Sequence, residues 1–253
     1  MINRQIGLQL YSLKEYTEKD FLGTLEKVAQ AGYDGVEFAG YFGTSASELH
    51  NTLNQLGLKA AGSHIGIEDL ENNLNSVIEY SLEIKSPYII CPGLPGSYRN
   101  SADDYKRTAE KFNRVGETCR EQGILFGYHN HHVEFEKYKG EYGLDLLVNH
   151  TGKDNMFIEL DTYWAEVCGI KSVDLISKYQ DRCKILHMKD MNNFEEKRNV
   201  EVGSGAMDFK EIVRLGRQHN IEWYTVEQEE YDKNPLLSIQ ESYQYLNRIL
   251  QGG

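Results

Sequence analysis

Three short segments of this sequence set chemically capable side chains two residues apart. They are His129 and His131 in Tyr128-His129-Asn130-His131, Glu159 and Asp161 in Glu159-Leu160-Asp161-Thr162, and His187 and Lys189 in His187-Met188-Lys189-Asp190. A further segment, Val226-Glu227, adds a carboxylate. Residues two apart on a β-strand share a face, so each pair projects together. Carboxylates and imidazoles crowded into one volume are costly unless they are paired or bound to a cation. A divalent ion would relieve that cost for Asp161 and Glu227, with imidazole completing the site. The remaining imidazoles would be free to accept a proton.

The elements that must position these residues recur about every thirty residues. Strands are expected near Ile6–Ser12, Gly35–Gly40, Leu58–Gly66, Tyr88–Gly93, Ile124–His131, Met156–Trp164, Lys184–Met191 and Trp223–Glu230. Helical periodicity fills the gaps, most clearly from Asp103 to Gln122. Gly32, Gly57, Gly123 and Asn220 stand where helices end in the left-handed conformation. Ser101, Ser172 and Asp208 stand where N-caps belong. No linker or composition shift divides the chain, so residues 1–253 are read as a single-domain α/β fold, the (β/α)8 TIM barrel. No Gly-rich phosphate fingerprint follows the first strand, as a doubly wound sheet would lead one to expect.

With apolar side chains turned to the helices, period two points the others at the barrel axis. Gln9 and Tyr11 face inward from strand one, Glu37 from strand two, and Gly62 and His64 share a face of strand three. Gly127, His129 and His131 follow from strand five, Glu159 and Asp161 from strand six, His187 and Lys189 from strand seven, and Glu227 from strand eight. These polar positions gather at the C-terminal ends of the strands, the rim where barrel enzymes work. Bland roles compete at single positions. Glu159 and Lys189 could form an internal ion pair, Asp208 is read as a helix cap, Cys91 as core, and His132 and Glu134 as rim residues, as supports behind the site or as plain loop residues. His50, His150 and His219 fall in helical segments and read as surface or packing residues.

The charge balance bounds the partners. Against 39 acidic side chains stand 27 basic ones, a formal net charge of −12. Nucleic-acid binding, which relies on clustered Lys and Arg, is therefore not expected. Cys91, Cys119, Cys168 and Cys183 form no Cys-x-x-Cys pair or disulfide framework. No apolar run is long enough to span a bilayer, and no signal-peptide pattern opens the sequence. A cytoplasmic protein with no membrane partner is expected; a homo-oligomer is left open.

Together with Gly203-Ser204-Gly205-Ala206-Met207-Asp208-Phe209, the four segments resemble the xylose-isomerase-like barrel family. Within it they are similar to sugar phosphate isomerases/epimerases, a group that includes ketose 3-epimerases and inosose dehydratases. The resemblance covers essentially the whole chain. It implies one divalent metal ion (Mn, Co, Zn or Mg) on His129, Asp161, His187 and Glu227, and a small carbohydrate substrate. Much of the family has Glu at this position; His129 lowers the negative charge of the site and should favour softer metals. Trp164 replaces a His that contacts substrate in ketose epimerases.

The expected activity is isomerisation or epimerisation by proton abstraction beside a carbonyl, through an enediolate. Expulsion of a β-substituent from the same intermediate would make the protein a dehydratase or lyase acting on a keto-sugar, 3-keto-glycoside or inosose. An endonuclease-IV-like nuclease and a non-catalytic carbohydrate-binding protein are the remaining readings. His131, Glu227 and Lys189 are the catalytic candidates. Gln9, Glu37, His64, Glu159 and Trp164 are the substrate-binding candidates, and Tyr11, Phe42 and Tyr163 could add apolar surface. With only Lys189, Lys197 and Arg198 near strand seven to hold a phosphate, an unphosphorylated substrate is favoured.

Overall fold

In a computed structural model describing residues 5–252, eight parallel strands close into a barrel. They are β1 (Gln5–Gln9), β2 (Gly35–Phe38), β3 (Lys59–His64), β4 (Tyr88–Cys91), β5 (Leu125–His129), β6 (Phe157–Asp161), β7 (Cys183–Met188) and β8 (Trp223–Val226). Each pairs with its neighbours in sequence, and β8 closes on β1 through Ile6↔Tyr224 and Leu8↔Val226. Helices pack outside, the longest being Ala102–Glu121 and Pro235–Gln251. This is the (β/α)8 architecture expected from the sequence. Among the described residues no helix is long and apolar enough to cross a membrane. All four cysteines are free.

The strands are shorter than their apolar patterns suggest, because the chain turns as soon as the polar residues begin. The Gln9 side-chain oxygen accepts from Tyr11 N and starts a 3-10 turn over Leu10–Leu13. Asp161 Oδ1 accepts from Trp164 N, capping the helix Thr162–Val167. His131, Lys189 and Glu227 consequently stand just past the ends of β5, β7 and β8. Gly32, Gly57, Gly123 and Asn220 all have positive φ, as their positions after helices require. Ser101 and Asp208 are N-caps, accepting from Asp104 N and Glu211 N. Ser172 is not: Lys171 is the N-cap, and both the amide and the hydroxyl of Ser172 donate to Glu166.

Two layers fill the barrel. The lower one is apolar and consists of Ala61, Tyr88, Ile90, Phe157, Ile185 and Trp223. Its large rings need bare backbone opposite: a Cβ on Gly127 would sit 2.4 Å from the Phe157 ring. Above it lie the polar residues. Between β2 and β3 the register jumps from Val36↔Ala60 to Glu37↔Gly62, leaving Ala61 as an extra residue. This bulge lets Ala61 join the lower layer while Gly62 faces Glu37, and it brings His64 to the inward face.

Candidate metal centre and substrate cavity

The deepest polar layer is a hydrogen-bonded cluster on β1, β2, β3, β6 and β7. Gln9 Nε2 donates to Glu37 Oε1 at 2.5 Å and lies 3.2 Å from His64 Nδ1. His64 Nε2 stands 2.9 Å from Glu37 Oε1 and 2.8 Å from Glu159 Oε1. His187 Nε2 meets the same two oxygens at 2.9 and 3.0 Å. Gln9, Glu37, Glu159 and His187 are completely buried. Burial alone would raise the Glu37 and Glu159 pKa values, but His64 and His187 hold both below the usual range. In return the two carboxylates outweigh burial at the imidazoles, raising His187 well above its ordinary value and His64 to about 10.

A second group overlaps this cluster and extends it toward the rim through Asp161 and Glu227. Metal-ligating atoms of His129, Asp161, His187 and Glu227 all lie within 4.8 Å of one another, and all four residues are buried. His64, His129, Glu159 and His187 form an overlapping group within the same limit. His187 belongs to both, with Nε2 on the inner carboxylates and Nδ1 3.2 Å from Glu227 Oε2. Its orientation matches that of a metal-ligating His, which typically presents one nitrogen to the ion and donates the other N–H to a carboxylate. The outer group also contains polar atoms that the protein leaves unsatisfied. Asp161 Oδ2 and His129 Nδ1 are buried without a hydrogen-bond partner, although His129 Nδ1 approaches Glu159 Oε1 to 3.1 Å.

The electrostatics fit a cation at the outer group. Burial lifts the Asp161 carboxyl to about 7, against the pull of Lys189 and His187. Burial, then His187, pushes His129 well below its ordinary value, so it is a neutral imidazole able to give a lone pair. Glu227 is held low despite burial, by Lys189 and His187. Asn130 Oδ1 accepts from Asp161 N and fixes β5 against the end of β6. Two imidazoles and two carboxylates suit a divalent transition metal.

The layer opens into a cavity of ≈ 380 Å³ lined by Tyr11, Ala39, His64, Pro92, His129, His131, Trp164, Glu227 and Glu229. The His131 ring makes no hydrogen bond; it rests against His129 and Trp164, with centroids 4.8 and 5.8 Å away. Burial lowers its pKa to about 4, although Glu227 opposes the shift. Its backbone is fixed by Glu134, which accepts from His131 N and from Tyr128 Oη, both at 2.8 Å.

Lys189 is buried against the Tyr163 and Trp164 rings, 3.8 Å from Glu227, with Nζ bonded to Glu229. It does not pair with Glu159, which lies a layer below and bonds to imidazoles. Of the residues expected to touch substrate, His64 and Trp164 line the cavity, whereas Gln9, Glu37 and Glu159 lie behind the imidazoles. Tyr11 also lines the cavity; Phe42 packs on Phe21, and Tyr163 lies beneath Lys189. The sequence does not single out Glu229, and it leaves Glu134 open between rim, supporting and plain loop roles, of which the structure shows the supporting one. Glu229 continues the period-two face beyond Glu227, which is a usable signal. Glu134 reaches Tyr128 only through a turn, which leaves none.

Residues 25–249 match the family model described as xylose isomerase-like TIM barrel. The chain belongs to this family. It is similar to a sugar phosphate isomerase/epimerase structure from Parabacteroides distasonis, with 28% identity, 97% of this chain and 94% of that one covered, and a TM-score of 0.83. It is also similar to the inosose dehydratase of Clostridium botulinum, 21% identical, with 90% of this chain and 89% of that one covered. The structure of IOLI protein with a binding zinc atom shares the fold at 14% identity, covering 98% of each chain with a TM-score of 0.78.

Proposed function

We propose that this protein is a divalent-metal-dependent carbohydrate isomerase or epimerase that removes a proton from carbon beside a carbonyl. The observation that carries the proposal is the His131 ring, free of hydrogen bonds, lining a cavity next to four converging metal-ligating side chains. His129, Asp161, His187 and Glu227 would hold the ion, and IOLI, of the same fold, holds zinc. Once bound, a divalent ion supplies Lewis-acid polarisation of the substrate carbonyl and its neighbouring hydroxyl. Glu37 and Glu159 hold His187 from behind, so we assign them to orienting the ligand rather than to touching the sugar.

His131 accepts the proton. Other titratable groups on the cavity wall are committed elsewhere: His64 to Glu37 and Glu159, Glu227 to His187, and Glu229 to Lys189. A neutral His131 keeps a lone pair for the substrate C–H, and Glu134 and Trp164 fix its place. Lys189, an expected catalytic residue, backs the cavity wall through Glu229 and Glu227 rather than lining it. Trp164 and Tyr11 form the apolar wall beside the sugar ring.

A second reading is favoured by the inosose dehydratase relatives: the same proton removal followed by departure of a β-hydroxyl as water, carrying the proton that His131 has taken up. Ketoses, 3-keto-glycosides and inososes incubated in D2O with restored metal distinguish the two. Deuterium uptake with inverted or transposed product supports the first, and an unsaturated product supports the second. His131→Ala should keep its metal while turnover and deuterium uptake fall roughly a hundredfold. Wild-type exchange in that variant refutes His131 as the base, and absence of specific metal binding by the intact protein refutes the whole reading.

A further inference from the structure

The Lys189–Glu229 pair is the one charged contact at the cavity that serves neither the ligand cluster nor the base. Lys189 is 1% exposed and is walled in by Tyr163 and Trp164 on one side and by Glu227 on another. On the cavity side stands Glu229: its carboxylate bonds to Nζ and its side chain lines the cavity, which Lys189 itself does not. The backbone amide of Glu229 donates to Asn199 Oδ1 at 2.7 Å, and Asn199 Nδ2 donates to Asp190 O at 2.8 Å. Asp190 in turn accepts from the amides of Met191, Gly203, Gly205 and Met207. Glu229 is thus anchored through its backbone to a pinned loop. Among the described residues no Lys or Arg lines this cavity; Lys189, behind Glu229, is the cation nearest to its wall through that pair. A cation already holding a carboxylate has no net charge to offer an incoming anion.

We propose that Glu229 is a specificity-determining residue: by occupying Lys189 it restricts the cavity to uncharged carbohydrates and excludes phosphorylated or carboxylated ones. The inference rests on the reading of this cavity as the substrate site. With Asp161 and Glu227 engaged by an ion, Glu229 would be the counter-charge left to Lys189. Without the Glu229 carboxylate, an anionic group could take its seat.

The test is calorimetric titration of the metal-loaded protein with inorganic phosphate and with D-glucose 6-phosphate. Wild type should bind neither below about millimolar, the range of a weak, non-specific contact. Glu229→Gln should bind both at least roughly tenfold more tightly, the scale of one charge-assisted hydrogen bond. The gain should vanish in a Lys189→Met background. Tight binding by wild type overturns the proposal and needs no variant. A gain that persists without Lys189 also overturns it, since removal of negative charge alone would then be the cause. No turnover is measured, so this result stands or falls separately from the proposed reaction.

Discussion

The two ends of the barrel interior are built on the same strands, one or two pleats apart, and they are chemical opposites. On β6 the inward residues run Phe157, Glu159, Asp161; on β7, Ile185, His187, Lys189; on β8, Trp223, Thr225, Glu227. Each strand begins in an apolar plug and ends in a titratable cluster. The plug gains free energy by leaving water and makes no directional demand beyond shape. The cluster loses free energy on burial and recovers it only through partners placed to within hydrogen-bonding distance. The lower end can therefore act as the rigid base on which the upper end holds its geometry. β4 departs from this pattern: Tyr88 and Ile90 both lie in the plug, and it supplies no residue to either ligand group.

Substitutions at each end should separate the two contributions. Phe157→Ala empties the plug and should cost about 3–5 kcal/mol of stability, read by denaturant unfolding. Metal affinity of the fraction that remains folded should stay near wild type; a large loss would show that the two ends are not separable. Glu37→Gln should do the reverse. It takes one carboxylate from behind His187 and should weaken the metal roughly 10- to 100-fold by calorimetry, as loss of a partner to a ligating His does. Unchanged affinity would instead favour an ion position that does not use His187 in this way. Asp208→Ala, on the outer ring and far from both layers in role, removes a cap from the helix Phe209–Gln218 and should cost about 1 kcal/mol. It should leave metal binding untouched, so any loss there would tie the outer helix to the site.

Alternation along single strands was legible in the residues themselves. It gave the eight β/α units and placed His129 with His131, Glu159 with Asp161, and His187 with Lys189, because strand period is a local property of the backbone. The caps at Ser101 and Asp208 and the left-handed positions after the helices were readable for the same reason. Trp164 came from the family resemblance, as the residue standing where ketose epimerases often have a substrate-contacting His.

What the sequence left open were relations between strands. Residue type allows a Glu159–Lys189 ion pair, but register puts the two in different layers, with Glu159 opposite Ile185 and Asp161 opposite His187. Glu37 and Glu159 read as contacts for a sugar, yet the closed barrel puts His64 and His187 in front of them. The Ala61 bulge, the reach of Glu134 back to Tyr128, and the pairing of Glu229 with Lys189 all depend on which backbone lies alongside which. The sequence by itself determined which face each side chain takes along its own strand. Only the tertiary structure decided the height of one strand against the next, because register is fixed by packing across the barrel rather than by neighbours along the chain.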